Sequence, residues 1–281
     1  MAMTTLAALR AGLQRPVTFT KNSVVNSANV PAGSQTLWAN IGYSTHGVMS
    51  SGAFNSTLNG AVLTSPTAGE LNLPDPGGLE AYIAKVVMFN SQHTGGIFML
   101  ADRIWQNGGM SVTALTPQLI TTPSWPARDD NDSSNGEGVF LALEISVGPT
   151  ATNTPTITVE YTNSDGVAGR TATTTQATAP RSTFGAWMFG LQAGDKGIRS
   201  IQSLTLSASW VSGTINLAAY RPLALFAQCP MTLSQAQIFD AVSLCMPRIK
   251  PGVVPFFYTF TANSGSGHAG PASADLFMSH G

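Results

Sequence analysis

Between residues 139 and 175 the chain alternates with a period of two. Leu141, Leu143, Ile145 and Val147 fall on one side of 139–147, with Ala142, Glu144 and Ser146 on the other. Ile157, Val159 and Tyr161 repeat the pattern in 156–162. An extended strand points successive side chains to opposite faces, so it turns this spacing into one apolar face. The reading leaves Glu144 and Glu160 on solvent faces. Asn163-Ser164-Asp165-Gly166 supplies turn chemistry and Val167 to Thr175 returns Thr-rich, which predicts a hairpin.

The same signal recurs along the chain. It predicts strands from Val17, at 81–90 and 97–105 (joined by Ser-Gln-His-Thr-Gly-Gly), and at 184–192, 198–210, 214–227 and 253–261. Two segments carry helix signals instead. In 4–14, Thr4 or Thr5 can cap, Leu6, Leu9 and Leu13 share a face, and Pro16 stops the run. In 233–246, Thr232 with Gln235 forms a capping box, Ile238, Ala241, Val242 and Cys245 line a face, and Pro247 ends it. The predicted class is all-β, a β-sandwich or jelly-roll-like fold with a short N-terminal helix and one C-terminal helix at about 233–246. A single unit can span the whole chain. The Gly/Pro/Asp/Ser-rich segment 106–138 is the best internal boundary. It either joins lobes at 17–105 and 139–261 or forms one long surface loop. Residues 262–281 read as a Gly/Ser-rich tail.

Composition narrows the partners. Only 10% of the 281 residues are charged, and the formal net charge is −1. Ordinary soluble domains carry roughly a quarter charged residues, and near-zero net charge favours association. The 13 Lys and Arg residues are scattered, whereas phosphate binding needs them clustered. Nucleic acid and membrane are therefore not expected partners. No signal peptide is expected, because Arg10 and Gly12 interrupt the first apolar stretch. Cys229 and Cys245 are too few for a disulfide framework and are expected as thiols.

The chain supplies few parts for chemistry. His46, His93, His268 and His280 sit among Gly, Ser and Thr, and the run at 47–52 does not match a nucleophile elbow. Asp75, Asp165 and Asp195 occupy turns. Two carboxylates about 5–9 Å apart in a groove would indicate glycoside hydrolysis. The sharpest metal candidate is the acidic loop 129–137, with Asp130, Asp132 and Asn135 as oxygen ligands. Counted from Asn131, Gly136 takes the sixth, turn-forming position of a calcium loop, but Ala142 stands where the bidentate Glu belongs. The expectation is a solvated loop, with no metal, no cofactor and no catalytic residue. Five tryptophans could make a sugar-stacking platform, but most lie within strand patterns and are expected to pack in the core or an interface. Trp125, between Pro123 and Pro126, is expected as a surface anchor, and Leu6, Leu9 and Leu13 as an interface face.

Residues 156–173 (TITVEYTNSDGVAGRTAT) and 190–221 (GLQAGDKGIRSIQSLTLSASWVSGTINLAAYR) resemble segments of virion structural proteins of tailed bacteriophages. The shared pattern is a strand, a Tyr-Thr-Asn-x-x-Gly-Val turn with Gly169-Arg170, then Leu-Gln-Ala-Gly-Asp and a Ser/Thr-rich strand ending in Ala219-Tyr220-Arg221. The resemblance implies a non-enzymatic particle component of capsid-decoration, minor-capsid or tail-appendage type. Such a protein is made in the host cytoplasm, resides in the virion, and binds copies of itself and other virion proteins. The alternatives are a tail or fibre-like appendage recognising host surface glycan, and a glycan-active hydrolase on a β scaffold.

Overall fold

The computed structural model describes residues 5–21, 38–40, 46–47, 57–64, 73, 78–90, 96–147, 154–175, 185–228, 235–261 and 272–281. Thr4, Asp75, His93, Cys229, Thr232, His268 and the 91–95 connection lie outside them. Helix α1 (Leu6–Ala11) is followed by β1 (Val17–Lys21), β2 (Trp38–Asn40), β3 (His46–Gly47), β4 (Ala61–Val62), β5 (Ala81–Asn90) and β6 (Gly96–Gln106). The chain continues with β7 (Gln118–Leu119), β8 (Phe140–Val147), β9 (Thr156–Asn163), β10 (Arg170–Thr175), β11 (Gly185–Met188) and β12 (Ile198–Leu206). It ends with β13 (Thr214–Gln228), β14 (Gln235–Asp240), β15 (Arg248–Ile249), β16 (Pro255–Thr261) and β17 (Ala272–His280). The fold is all-β, and its ladders, from β1–β17 to β6–β16, run antiparallel.

Two compact units divide the chain discontinuously. Unit 1 contains 1–48, 65–102 and 223–281, and unit 2 contains 49–64 and 103–222. The segment 106–138 thus belongs to unit 2 and joins no sequential lobes.

Unit 2 is a two-layer β-sandwich. One layer runs β10-β9-β12-β7, with Tyr161 opposite Arg170 and Leu204 opposite Val159. The other contains β11, β8 and β13, with Leu143 opposite Leu217. Ile157, Val159, Tyr161, Ile201 and Leu204 from the first layer and Leu141, Leu143, Ile145, Ile215 and Leu217 from the second share one core. Side chains from the two inner faces of a sandwich interdigitate to form such a core. Each fully buried aliphatic side chain contributes roughly 1.5–3 kcal/mol.

In unit 1 the main sheet runs β14-β5-β17-β1-β2-β3, with β15 also on β5. Ile83, Val86 and Met88 of β5 and Ala274, Leu276 and Met278 of β17 line its core together with Leu100 and Phe226. Helix α1 starts at Thr5, whose hydroxyl accepts from the Ala8 amide. The chain around α1 is tied to β17: the Gln14 amide donates to Met278 O and the His280 amide to Gly12 O.

Three expectations need correction. The predicted helix at 233–246 is strand β14 followed by a turn. Asp240 closes that turn by accepting from the amides of Val242 and Ser243, and Cys245 and Met246 take φ of 55° and 44°. Pairing with β5 along Gln235–Asp240 overrides the helical periodicity. Residues 272–280 of the predicted tail form a strand inside the sheet, between β5 and β1. Glu144 is not on a solvent face, because both faces of β8 are covered and this side chain is fully buried.

Candidate functional site

Unit 2 holds three polar centres, and the acidic loop is the first. Asp129 is fully buried at its centre. Its Oδ1 accepts from the amides of Asn131 (3.0 Å) and Ser133 (2.6 Å). Its Oδ2 accepts from the Ser133 hydroxyl (2.6 Å) and the amides of Gly136 (2.9 Å) and Glu137 (3.3 Å). The chain can wrap this tightly because Asp132, Gly136 and Gly138 take φ of 56°, 83° and 74°. Burial pushes the Asp129 carboxyl up, but the Ser133 hydroxyl and the converging amides outweigh it and hold the group below the ordinary carboxylate range.

This arrangement inverts a cation site. A hard cation needs oxygens aimed at a common point, whereas here donors are aimed at one carboxylate. The three expected ligands go separate ways. Asp130 lies 3.4 Å from the Arg221 guanidinium, Asp132 takes the left-handed turn position, and Asn135 is exposed. Among the described residues, no group of three or more His, Cys, Asp or Glu is placed to hold a metal ion.

The second centre lies on the face of β8 and β13 turned away from the sandwich core, since Glu144 alternates with Leu143 and Ile145, and Asn216 with Ile215 and Leu217. Arg103 and Glu144 form an ion pair with side chains 3% and 0% exposed, and Asn216 Nδ2 donates to the same Glu144 Oε2 at 2.7 Å. Asn216 stands directly opposite Glu144 in the β8–β13 ladder. The third centre is Asp195, which receives Asn163 Nδ2 at 2.7 Å, Arg170 Nε at 3.0 Å and the Tyr161 hydroxyl. Burial opposes its ionisation, yet the bonds from Arg170, Tyr161 and Asn163 hold its pKa at about 2. Sequence reading placed Asp195 in a turn and missed the network, although the Arg170–Tyr161 register is implied by the hairpin.

The interface candidates fare differently. Trp125 is not a surface anchor: it is 3% exposed, its indole N–H donates to Ile198 O at 2.7 Å, and its ring lies 5.8 Å from that of Trp105. An indole donor that finds a buried carbonyl can sit inside even from a Pro-flanked loop. Trp105 and Trp210 are also buried in this core. Leu9 is half-buried beside β17, Leu13 is 49% exposed, and Leu6 opens α1. Glu160 is exposed. Sequence reading did not single out Leu119 or Val211, which are 74% and 76% exposed. Each looks like an ordinary strand or turn aliphatic in the sequence.

No protein-family profile matches the chain. No curated protein matches it. Among solved structures, the infectious bursal disease virus VP2 subviral particle is similar at 9% identity, with 96% of this chain and 82% of that chain covered and a TM-score of 0.19. A structure of the Gx strain of that virus is similar at 10% identity, with coverage of 95% and 66% and a TM-score of 0.18.

Proposed function

We propose that this chain is a non-enzymatic structural subunit of a virus particle, and specifically a capsid-decoration or minor-capsid protein of a tailed bacteriophage. The observation that carries the reading is the use of the acidic groups. Asp129, Glu144 and Asp195 are each engaged by donors from their own unit. A general acid or base must instead reach the proton of a substrate. The antiparallel sandwich architecture, the 10% charge and the phage-like segments at 156–173 and 190–221 support the same reading. Exposed Leu119, Val211 and Val242 provide apolar surface for contact with copies or neighbouring virion proteins.

The test is a mass-spectrometric census of purified particles with copy number per particle. The expected result is this chain at a fixed stoichiometry that survives salt washing. Its absence from intact particles would overturn the reading. Release of reducing ends from host polysaccharide by the pure chain, abolished by one acid substitution, would overturn the non-enzymatic part.

A further inference from the structure

The chain contains three Asn-Gly steps, Asn59-Gly60, Asn107-Gly108 and Asn135-Gly136. This dipeptide is chemically labile. The glycine amide nitrogen attacks the Asn Cγ and gives up its proton to solvent base, while the carboxamide nitrogen takes up a proton from solvent and leaves as ammonia with the former C–N electron pair. Water then opens the five-membered succinimide at either carbonyl, giving aspartate or isoaspartate. No oxidant or cofactor is needed. What decides the rate in a folded chain is whether the carboxamide can turn onto the amide behind it.

Two of the three carboxamides are pinned. Asn107 is fully buried, its Nδ2 donates to Leu58 O at 2.9 Å, and its Oδ1 accepts from the Leu217 amide at 2.7 Å. Asn59 Oδ1 accepts from the Thr121 amide at 2.8 Å, and Asn59 O accepts from the Trp105 indole at 3.0 Å. Asn135 differs. It is exposed, its backbone amide donates to Ser133 Oγ at 3.2 Å, and among the described residues no hydrogen bond holds its carboxamide.

We propose that Asn135 is a site of spontaneous deamidation in the folded protein, with Asp129 setting its rate. Asp129 Oδ2 holds the Gly136 N–H at 2.9 Å, which keeps the attacking nitrogen protonated and turned inward. The fold also explains why a labile step persists. Gly136 takes φ +83°, and a Cβ there would stand 1.9 Å from Ile198 O, so the loop requires glycine. The product places a further carboxylate in a loop that already carries Asp129, Asp130, Asp132 and Glu137. In the isoaspartate form it also lengthens the backbone inside the set of bonds to Asp129.

The experiment is peptide mapping of the full-length folded chain during prolonged incubation at mildly alkaline pH, with isoaspartate detected by methyltransferase labelling. The expected result is amide-to-acid conversion at Asn135 while Asn59 and Asn107 keep their amides. Conversion at Asn59 or Asn107 first, or none at Asn135, overturns the proposal. Ser133→Ala removes the hydroxyl bond to Asp129 together with the bond that the same Oγ accepts from the Asn135 amide, and leaves the amides of Asn131, Ser133, Gly136 and Glu137 on Asp129; faster conversion at Asn135 is expected. An unchanged or slower rate in a folded Ser133→Ala variant overturns the part assigned to Asp129. Asn135→Gln should abolish the labelling of the peptide that carries residue 135 without loss of fold, and persistent labelling of that peptide would overturn the assignment.

Discussion

Glu144 and Arg103 face each other as a buried ion pair in unit 2, with Asn216 as a second donor to the same carboxylate oxygen. Two desolvated charges roughly cancel their own cost when paired, but an unpaired one does not. Glu144→Ala is therefore expected to cost about 3–5 kcal/mol by leaving the Arg103 guanidinium buried without its counter-charge. Replacing both, as Arg103→Met with Glu144→Leu, is expected to recover much of that loss. Urea unfolding midpoints for Arg103→Met, Glu144→Leu and the double variant check this. Additive losses would show that the pair does not act as a unit.

The period-two segments were legible because their pattern and their pairing agree. Strands β5, β6, β8, β9 and β13 lie within a residue or two of their expected bounds. The hairpin turn at Asn163–Gly166 forms as its residues dictate, with the Gly166 amide donating to Asn163 O. Legibility failed where long-range contact decides. Gln235–Asp240 carries helical spacing but is taken up by pairing along β5. Ala274, Leu276 and Met278 alternate with Ser273, Asp275 and Phe277, a strand signal masked by the Gly/Ser run before it. Glu144 looks like a solvent residue until Arg103, 41 positions away, is placed beside it. The acidic loop showed its composition but not its direction, because amide orientation depends on backbone dihedrals that composition does not report.

Acid should weaken unit 2 in a defined window. Asp195 has a folded pKa of about 2, against an ordinary 3.8, and Asp129 is also lowered. Between folded and unfolded values the unfolded chain binds more protons, so stability rises with pH there. The contribution is fully present above about pH 4 and is lost as pH falls toward about 2. Asp195→Asn is expected to flatten this part of the curve. Equal slopes for the wild type and the variant, measured by urea midpoint against pH, would remove Asp195 as a source of the acid sensitivity.

Two glycines with positive φ separate backbone strain from collision. Gly169 takes φ +72° with open space where a Cβ would stand, whereas a Cβ on Gly136, at φ +83°, would collide with Ile198 O. Gly169→Ala should cost about 1–2 kcal/mol, the left-handed penalty alone. Gly136→Ala should cost more, because the Ile198 carbonyl belongs to β12 and must shift. Thermal unfolding of both variants checks the order, and equal losses would remove the collision as a cause.

The C-terminal strand should be essential to unit 1. Strand β17 lies between β5 and β1, so its loss breaks two ladders at once. It also removes Ala274, Leu276 and Met278, all buried, together with the seat of α1, where Ser279 Oγ donates to Leu9 O at 2.7 Å. A dispensable tail would leave the amides of β5 as protected as before. Deletion of 272–281 is instead expected to weaken slow hydrogen exchange within Lys85–Met88, because the β5 amides that face β17 lose their partners, whereas the Ile83 amide keeps Pro247 O. The milder Leu276→Ala should cost about 2–5 kcal/mol as a buried truncation, with Asp275→Ala, on the alternate face, costing less. Retained protection in the truncated chain, measured by exchange mass spectrometry, would return 272–281 to the status of a tail.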